Sequence, residues 1–391
     1  MKLPRITDKI SPRGVIFVFI LAAAGITLQT YFAGHGPYTR YNNFVIFERS
    51  YGHLIHNQNL YIFYPSEYYD LFKYSPSFAF LMGPFYLLPA FAGLLLFNLL
   101  NAGIFIVAVR RLKFPETSLR YLFLYVLLEA CISITSAQTN LLMAGLVILA
   151  FTFLEEEKPS AAALCIVLSF FIKLFGIVAL VLWILYPKKI KFLLYTLLWI
   201  VVIAALPLLV TSKNDLLFQY QQWAALLRSD HDVSYGASIM GLLHSWFNIS
   251  VSKMGALVAG GILLLLPFSK ITKYHIYTFR LQMLASILMW MVIFNHKAES
   301  PTYIIALAGV AVWYFSMQPV KINQILLWCC LIFTSCSSTD LITPGWINNQ
   351  FIVPYAIKAV FCSLIWFKLL GDLMFTKSPG LRKNTLPISA F

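Results

Sequence analysis

The stretch Gly14-Val-Ile-Phe-Val-Phe-Ile-Leu-Ala-Ala-Ala-Gly-Ile-Thr-Leu-Gln-Thr-Tyr-Phe-Ala33 carries no charge, and a polar, tyrosine-rich segment from His35 to Pro76 follows it at once. An uncharged run of this length matches the ~20 residues an α-helix needs to cross a bilayer. The segment after it holds Arg40, Glu48, Arg49, His53, His56, Glu67, Asp70 and Lys73. A membrane span followed by so long a charged loop sets the reading of the whole chain: a bilayer protein whose chemistry lies at one end.

The composition agrees. Of the 391 residues 60% are hydrophobic and 11% charged, against roughly 25% charged in a soluble domain. The fold class expected is an all-α polytopic membrane protein, residues 1–391 forming a single integral membrane domain. Within it, 14–109 hold the first span, outer loop and second span, 110–310 a central helical bundle, and 311–391 the C-terminal spans and tail. The N-terminus, Met1 to Arg13 and the apolar run after it, resembles a signal peptide. The run is long for a signal core and has no small-x-small cleavage site, so an uncleaved first span is expected. The six cysteines (Cys131, Cys165, Cys329, Cys330, Cys336, Cys362) all fall in apolar segments without metal-ligand spacing, so neither a disulfide framework nor a metal site is read from them.

Further apolar runs give Ala90–Val109, Leu119–Thr135, Leu141–Leu154, Phe192–Val210, Met254–Phe268, Leu281–Phe294, Tyr303–Met317, Ile325–Ser337 and Phe351–Leu370. Ser77–Pro89 reads as interfacial, and Ala161–Ile172 with Leu174–Tyr186 as a thin hairpin around Lys173. About twelve transmembrane segments result. On this path most of the 29 lysines and arginines fall at one set of ends, from Lys2, Arg5, Lys9 and Arg13 to Lys377, Arg382 and Lys383. By the positive-inside rule that side is cytoplasmic, with both termini, in a cell inner membrane. The charge of +14 is thus a topology signal, and nucleic acid is excluded as a partner.

The opposite, extracytoplasmic face receives the long loop, the turn Ser136–Asn140, Lys173, the loop Lys213–Ser238, Asn295–Thr302 and Asp340–Gln350. It carries Glu48, Glu67, Asp70, Asp215, Asp230, Asp232, Glu299 and Asp340, more than half of the 15 acids. No Walker motif, dinucleotide glycine fingerprint or histidine-rich cluster occurs. ATP- or nucleotide-sugar-driven chemistry on the inner side is therefore not expected, and an outer-face enzyme must take an activated donor already in the membrane.

Tyr61-Ile-Phe-Tyr-Pro-Ser-Glu-Tyr-Tyr-Asp-Leu-Phe-Lys-Tyr-Ser-Pro76 is the densest constellation. Tyr61, Tyr64 and Tyr74 are candidate platforms for a sugar face, as is Trp223. A carboxylate beside them can take a proton from a sugar hydroxyl, and Lys73, three residues after Asp70, can meet a phosphate. The alternative is an interfacial aromatic belt, which does not need carboxylates interleaved with its rings. Asn295-His-Lys-Ala-Glu-Ser-Pro301 is a second cluster, where His296, Glu299 and Ser300 become candidates or form a plain turn. Gln138 and Asn140 can bind a ligand or cap a helix. Lys173, in an apolar run, either snorkels or meets an anion. Asp230 and Asp232 form an Asp-x-Asp that could hold a divalent cation, though a solvated loop is the better reading. Glu129, inside a span, is read as structural.

The order of several short elements resembles a known family. These are Asn43-Phe44, Tyr61 and Phe72-Lys-Tyr-Ser-Pro76 in the first loop, the proline-bearing Pro84–Pro89, Gln138-x-Asn140, Ile172-Lys173, and Ser300-Pro301 before a span. Together they are similar to glycosyltransferase family 87, membrane mannosyltransferases of the GT-C type, over roughly residues 14 to 310. The resemblance implies a GT-C glycosyltransferase-like helical bundle and a polyprenyl-phosphate sugar donor, often a mannose donor. It also implies a lipid or glycan acceptor on the outer face, inversion at the anomeric carbon and no required cofactor or metal. The family places its aspartate base immediately before the phenylalanine of the first loop. Here that position is Asn43, preceded by Asn42, and both are kept as substrate-binding candidates. The role of base then passes to Asp70, Glu299, Glu48 or Glu67. The family's histidine after the Ser-Pro element is also missing, with His296 before it as a substitute. Lys73, Lys173 and His296 are the groups expected to meet the departing phosphate, and Asp70 or Glu299 to deprotonate the acceptor. The alternatives are a lipid-linked glycan or small-molecule transporter, whose inverted repeats are not seen, and a non-catalytic scaffold of the same fold.

Overall fold

The computed structural model describes residues 11–33, 38–229, 234–318, 320–339 and 342–375, and every regular element among them is a helix. His35, the N-terminal charges up to Lys9, Asp230, Asp232, Asp340 and the C-terminal Lys377, Arg382 and Lys383 lie outside the described residues. Helix α1 (Pro12–Phe32) starts where Ser11 caps Gly14 N at 3.1 Å. It packs on α5 (Ala90–Arg111) and α6 (Glu116–Thr135) through Phe19, whose ring lies 6.0 Å from Phe105 and 5.9 Å from Phe123. Asn98 Nδ2 donates to Thr27 Oγ1 at 2.9 Å across the same interface, the kind of polar tie that holds helices together in an apolar solvent.

The segment expected as a loop, His35–Pro76, contains a 14-residue helix, α2 (Asn42–Ile55), and the stretch Ser77–Pro89, expected as interfacial, holds most of two short ones, α3 (Pro76–Leu81) and α4 (Gly83–Tyr86). Helix α2 is amphipathic: Phe44, Phe47 and Leu54 are buried while Arg49 is exposed. Helices α7 (Asn140–Glu155) and α8 (Pro159–Ile172) follow α6. The hairpin expected around Lys173 is present: Lys173 is extended (φ −140°, ψ 127°) and the chain returns as a 3₁₀-helix over Leu174–Leu185. Gly176 makes that reversal possible, because a Cβ there would stand 2.5 Å from the Ser169 backbone. The 3₁₀ form rises ~2 Å per residue, so its 12 residues reach farther than the same number in an α-helix.

The chain continues through α9 (Lys189–Ala205), α10 (Lys213–Ser229), α11 (Ile239–Phe247), α12 (Lys253–Leu265), α13 (Tyr277–Ile293), α14 (Tyr303–Ser316), α15 (Lys321–Cys330), α16 (Gly345–Ile347) and α17 (Ile357–Phe375). Residues 213–229, expected as loop, are thus helical. The span expected over Phe351–Leu370 is broken, since the axis of Gly345–Ile352 meets that of α17 at 56°. Every residue of α13 is buried, so α13 with α14 forms the centre of the bundle.

Four helices among the described residues are long and apolar enough to cross a membrane: Arg13–Phe32, Ala90–Arg111, Glu116–Thr135 and Lys189–Leu209. The bent pair before and within α17 makes a fifth if it is one span. The remaining apolar helices have 10–17 residues, below the ~20 of a typical crossing. Helix length alone therefore does not confirm the count of about twelve.

One end of the bundle gathers basic residues around a buried ion pair. Arg280 Nε and Nη2 donate to the two oxygens of Glu155 at 2.5 and 2.8 Å, and Tyr186 Oη donates to Glu155 Oε1. Lys188 pairs with Glu157 and Arg111 with Glu156 nearby. The opposite end carries α2, the turn after α6, Lys173, α10 and residues 295–302, and these interlock.

Candidate active site

The Tyr-Ser-Pro element sets the geometry of that second end. Ser75 Oγ donates to Phe171 O at 2.6 Å and also caps α3 by accepting from Phe78 N at 3.1 Å. One serine thus fixes the loop segment against the tip of the α8 hairpin. The result is that Tyr74 stands beside Lys173, whose Nζ lies 6.0 Å from its ring centroid. Tyr74 also stacks on Phe78, with ring centroids 4.7 Å apart, and Phe47 meets it edge-on at 4.7 Å.

From Lys173 a continuous line of hydrogen bonds runs to Glu299. Lys173 Nζ donates to Asn140 Oδ1 at 2.7 Å, Asn140 Nδ2 to Gln138 Oε1 at 2.7 Å, and Gln138 Nε2 to Glu299 Oε2 at 3.0 Å. The two amides can be oriented only one way in this line, because an ammonium only donates and a carboxylate only accepts. Burial pushes the Lys173 ammonium down to about 8, opposed by the charge of Glu299. Burial raises the Tyr74 phenol, and the charges of Glu299 and Asp70 push the same way. Tyr74 therefore lies within electrostatic reach of both carboxylates.

Asp70 and Lys73 form an exposed pair beside this line, 3.0 Å apart. Asp70 sits at φ +86°, and its Oδ1 accepts from Leu71 N at 2.7 Å. Ala137, in the turn that presents Gln138, sits at φ +47°. Two non-glycine residues in the left-handed region thus flank the cluster, a pattern common at functional sites. Asn43 donates to Ser136 O at 2.9 Å and so ties α2 to that turn. Trp223 Nε1 donates to Lys73 O at 3.3 Å, which brings α10 to the rim.

Of the residues picked from the sequence, the structure brings Asp70, Lys73, Tyr74, Gln138, Asn140, Lys173 and Glu299 together, with Asn43 and Trp223 at the edge. Others are engaged elsewhere. Asn42 clamps both backbone groups of Tyr69, at 2.7 and 3.2 Å. The hydroxyls of Tyr61 and Tyr64 donate to the carbonyls of Tyr74 and Asn59. Glu48 is five residues from Asn43 on α2, which turns it to a different face. Burial pushes its carboxyl up to about 7, opposed by Arg49. His296 is buried, and Ser300 is held by Lys358, with its Oγ 2.8 Å from Nζ. His53, which the sequence marks only by its charged neighbourhood in the loop, stacks on Tyr64 at 3.9 Å and lies 3.2 Å from Glu67.

Among the described residues no group of three or more His, Cys, Asp or Glu side chains is placed to hold a metal ion. Residues 72–336, more than half of the chain, match the sequence profile of glycosyltransferase family 87. No curated protein matches the chain.

Proposed function

The chain belongs to glycosyltransferase family 87, and from that membership we propose that it moves a hexose, mannose first among the candidates, from a polyprenyl-phosphate donor to a lipid or glycan acceptor on the extracytoplasmic face of the inner membrane. That it is a membrane-embedded glycosyltransferase follows from the family and the apolar helices. The observation that supports the finer reading is the line from Glu299 to Lys173, which sets a carboxylate and an ammonium at the two ends of one hydrogen-bonded row.

In this reading Glu299 is the base. Asp70 is committed to its own turn: its Oδ1 accepts from Leu71 N, and Lys73 Nζ reaches both carboxylate oxygens, at 3.0 and 3.3 Å. The acceptor hydroxyl oxygen attacks the anomeric carbon as the bond from that carbon to the phosphate oxygen breaks, and the hydroxyl proton passes to Glu299. Polyprenyl phosphate leaves carrying the bonding electrons, and Lys173 with Lys73 meets its charge. A single displacement inverts the anomeric centre. Asn43 is an amide and takes no proton in this scheme; its hydrogen bond to Ser136 positions the turn that carries Gln138. No metal enters the scheme. The test is transfer by the purified protein in lipid, from labelled polyprenyl-phosphate mannose and a panel of other polyprenyl-phosphate sugars, with a chelator in parallel.

A further inference from the structure

Next to the Glu299 turn lies a buried ion pair that the displacement itself does not use. Lys358, in α17, donates from Nζ to Glu129 Oε1 of α6 at 2.7 Å, to Ser300 Oγ at 2.8 Å and to Ser300 O at 3.2 Å. The side chains of Lys358 and Glu129 are 4% and 0% exposed. An ammonium has three N–H donors, and all three are spent here, one on the partner acid and two on the residue that follows Glu299.

Stability does not account for such a pair. Two buried ions lose hydration that their attraction only roughly returns, and apolar replacements of similar volume are often neutral or better. Geometry does account for it. Ser300 opens the single 3₁₀ turn Ser300–Thr302 that precedes α14, and Glu299 N donates to Thr302 Oγ1 at 3.4 Å within it. Ala237 N donates to Ala298 O at 2.8 Å, and Tyr303 Oη to Ala237 O at 2.7 Å. The segment from Ala298 to Tyr303 is therefore held on one side by residue 237. Lys358 and Glu129 hold it on another, from two different helices of the bundle.

We infer that Lys358, oriented by Glu129, is a positioning residue that fixes the Ser300 backbone and thereby the placement of the Glu299 carboxylate. This rests on the reading of Glu299 as the base. The pair does not touch substrate. It sets where the base stands relative to Gln138 and Lys173, and a misplacement of ~1 Å in such a group costs on the order of 100-fold in rate.

The test uses the full chain in lipid with Glu129→Leu and Lys358→Met combined, so that no lone charge is left buried. The double variant should melt near the wild-type temperature, keep the donor KM, and lose kcat by on the order of 100-fold. Ser300→Ala removes one of the two contacts and no charge; it should lower kcat about tenfold and serves if the double variant does not fold. Exchange of the backbone amides of residues 298–303 other than Pro301 should quicken in both variants while the other helices stay protected. Wild-type kcat in the double variant, or unchanged exchange at 298–303, overturns the inference. If the wild-type protein itself transfers no sugar, the transferase reading fails, and the exchange measurement still decides whether Lys358 holds this turn.

Discussion

Gln138 Nε2 donates to Glu299 Oε2 at 3.0 Å, joining residues 161 positions apart in the chain. That contact closes a row in which every donor and acceptor is fixed by Lys173 at one end and Glu299 at the other. Glu299→Gln therefore removes the proposed proton acceptor, while its amide oxygen can still accept from Gln138 Nε2. Transfer should fall on the order of 100- to 10,000-fold with little change in melting temperature. Steady-state kinetics and a thermal melt of the same preparation check both parts.

Lys173 supplies a pH dependence. Burial holds its ammonium down to about 8, so the charged form is present below that pH and is lost above it. If the charge receives the phosphate, kcat/KM falls as pH rises through about 8, because this ratio reports the free protein. Lys173→Arg should move that limb beyond pH 10, since a guanidinium stays charged. Lys173→Met should abolish the limb and lower the plateau. A pH profile from 6 to 10 on the three proteins separates these outcomes.

Glu48 makes the opposite kind of prediction, about stability. Its carboxyl is pushed up from 4.5 to about 7 by burial, with Arg49 opposing. The folded chain then holds a proton that the unfolded chain has released between those values, so stability falls as pH rises across this window. Glu48→Gln should flatten that dependence and raise stability at pH 8 by on the order of 1 kcal/mol, a value reduced for the solvent that still reaches the group. Melting temperatures at pH 5 and pH 8 measure it.

Gly236 sits at φ +54°, and a Cβ there would stand 2.7 Å from His296 O and 2.9 Å from Ala298 O. Gly236→Ala forces the chain off the Glu299 turn and strains its own backbone. It should destabilise by more than ~1 kcal/mol and lower transfer as the Ala237 to Ala298 hydrogen bond opens. A melt and a rate measured on the same sample check this.

Much of this arrangement is legible in the residues themselves. Apolar runs such as Gly14–Ala33 and Ala90–Val109 mark helices because a bilayer core, without water, leaves each backbone group of so long a run to be satisfied within it. The positions of Asp70, Lys73, Gln138, Asn140, Lys173 and Glu299 at one set of helix ends follow from the order of those runs. Helix α2 is harder to see, since Glu48, Arg49 and His53 interrupt the apolar stripe of Phe44, Phe47 and Leu54. The engagement of Asn42, Tyr61 and Tyr64 with backbone groups is invisible in sequence, because a tyrosine that lines a sugar site and one that braces a loop look alike. The pairing of Glu129 with Lys358, 229 positions apart, depends on how α6 and α17 pack, and no local pattern records it. Glu129 stands out only as an acid in an apolar run.

The most direct test of the account is single-turnover transfer from labelled polyprenyl-phosphate mannose to acceptors extracted from the native membrane, run side by side for the wild-type protein, Glu299→Gln and Asp70→Asn. With Glu299 as the base, the wild type gives labelled product that survives a chelator, Glu299→Gln loses on the order of 100-fold or more, and Asp70→Asn loses much less. Wild-type rates from Glu299→Gln, or no product from any polyprenyl-phosphate sugar with a folded wild-type protein, would contradict it.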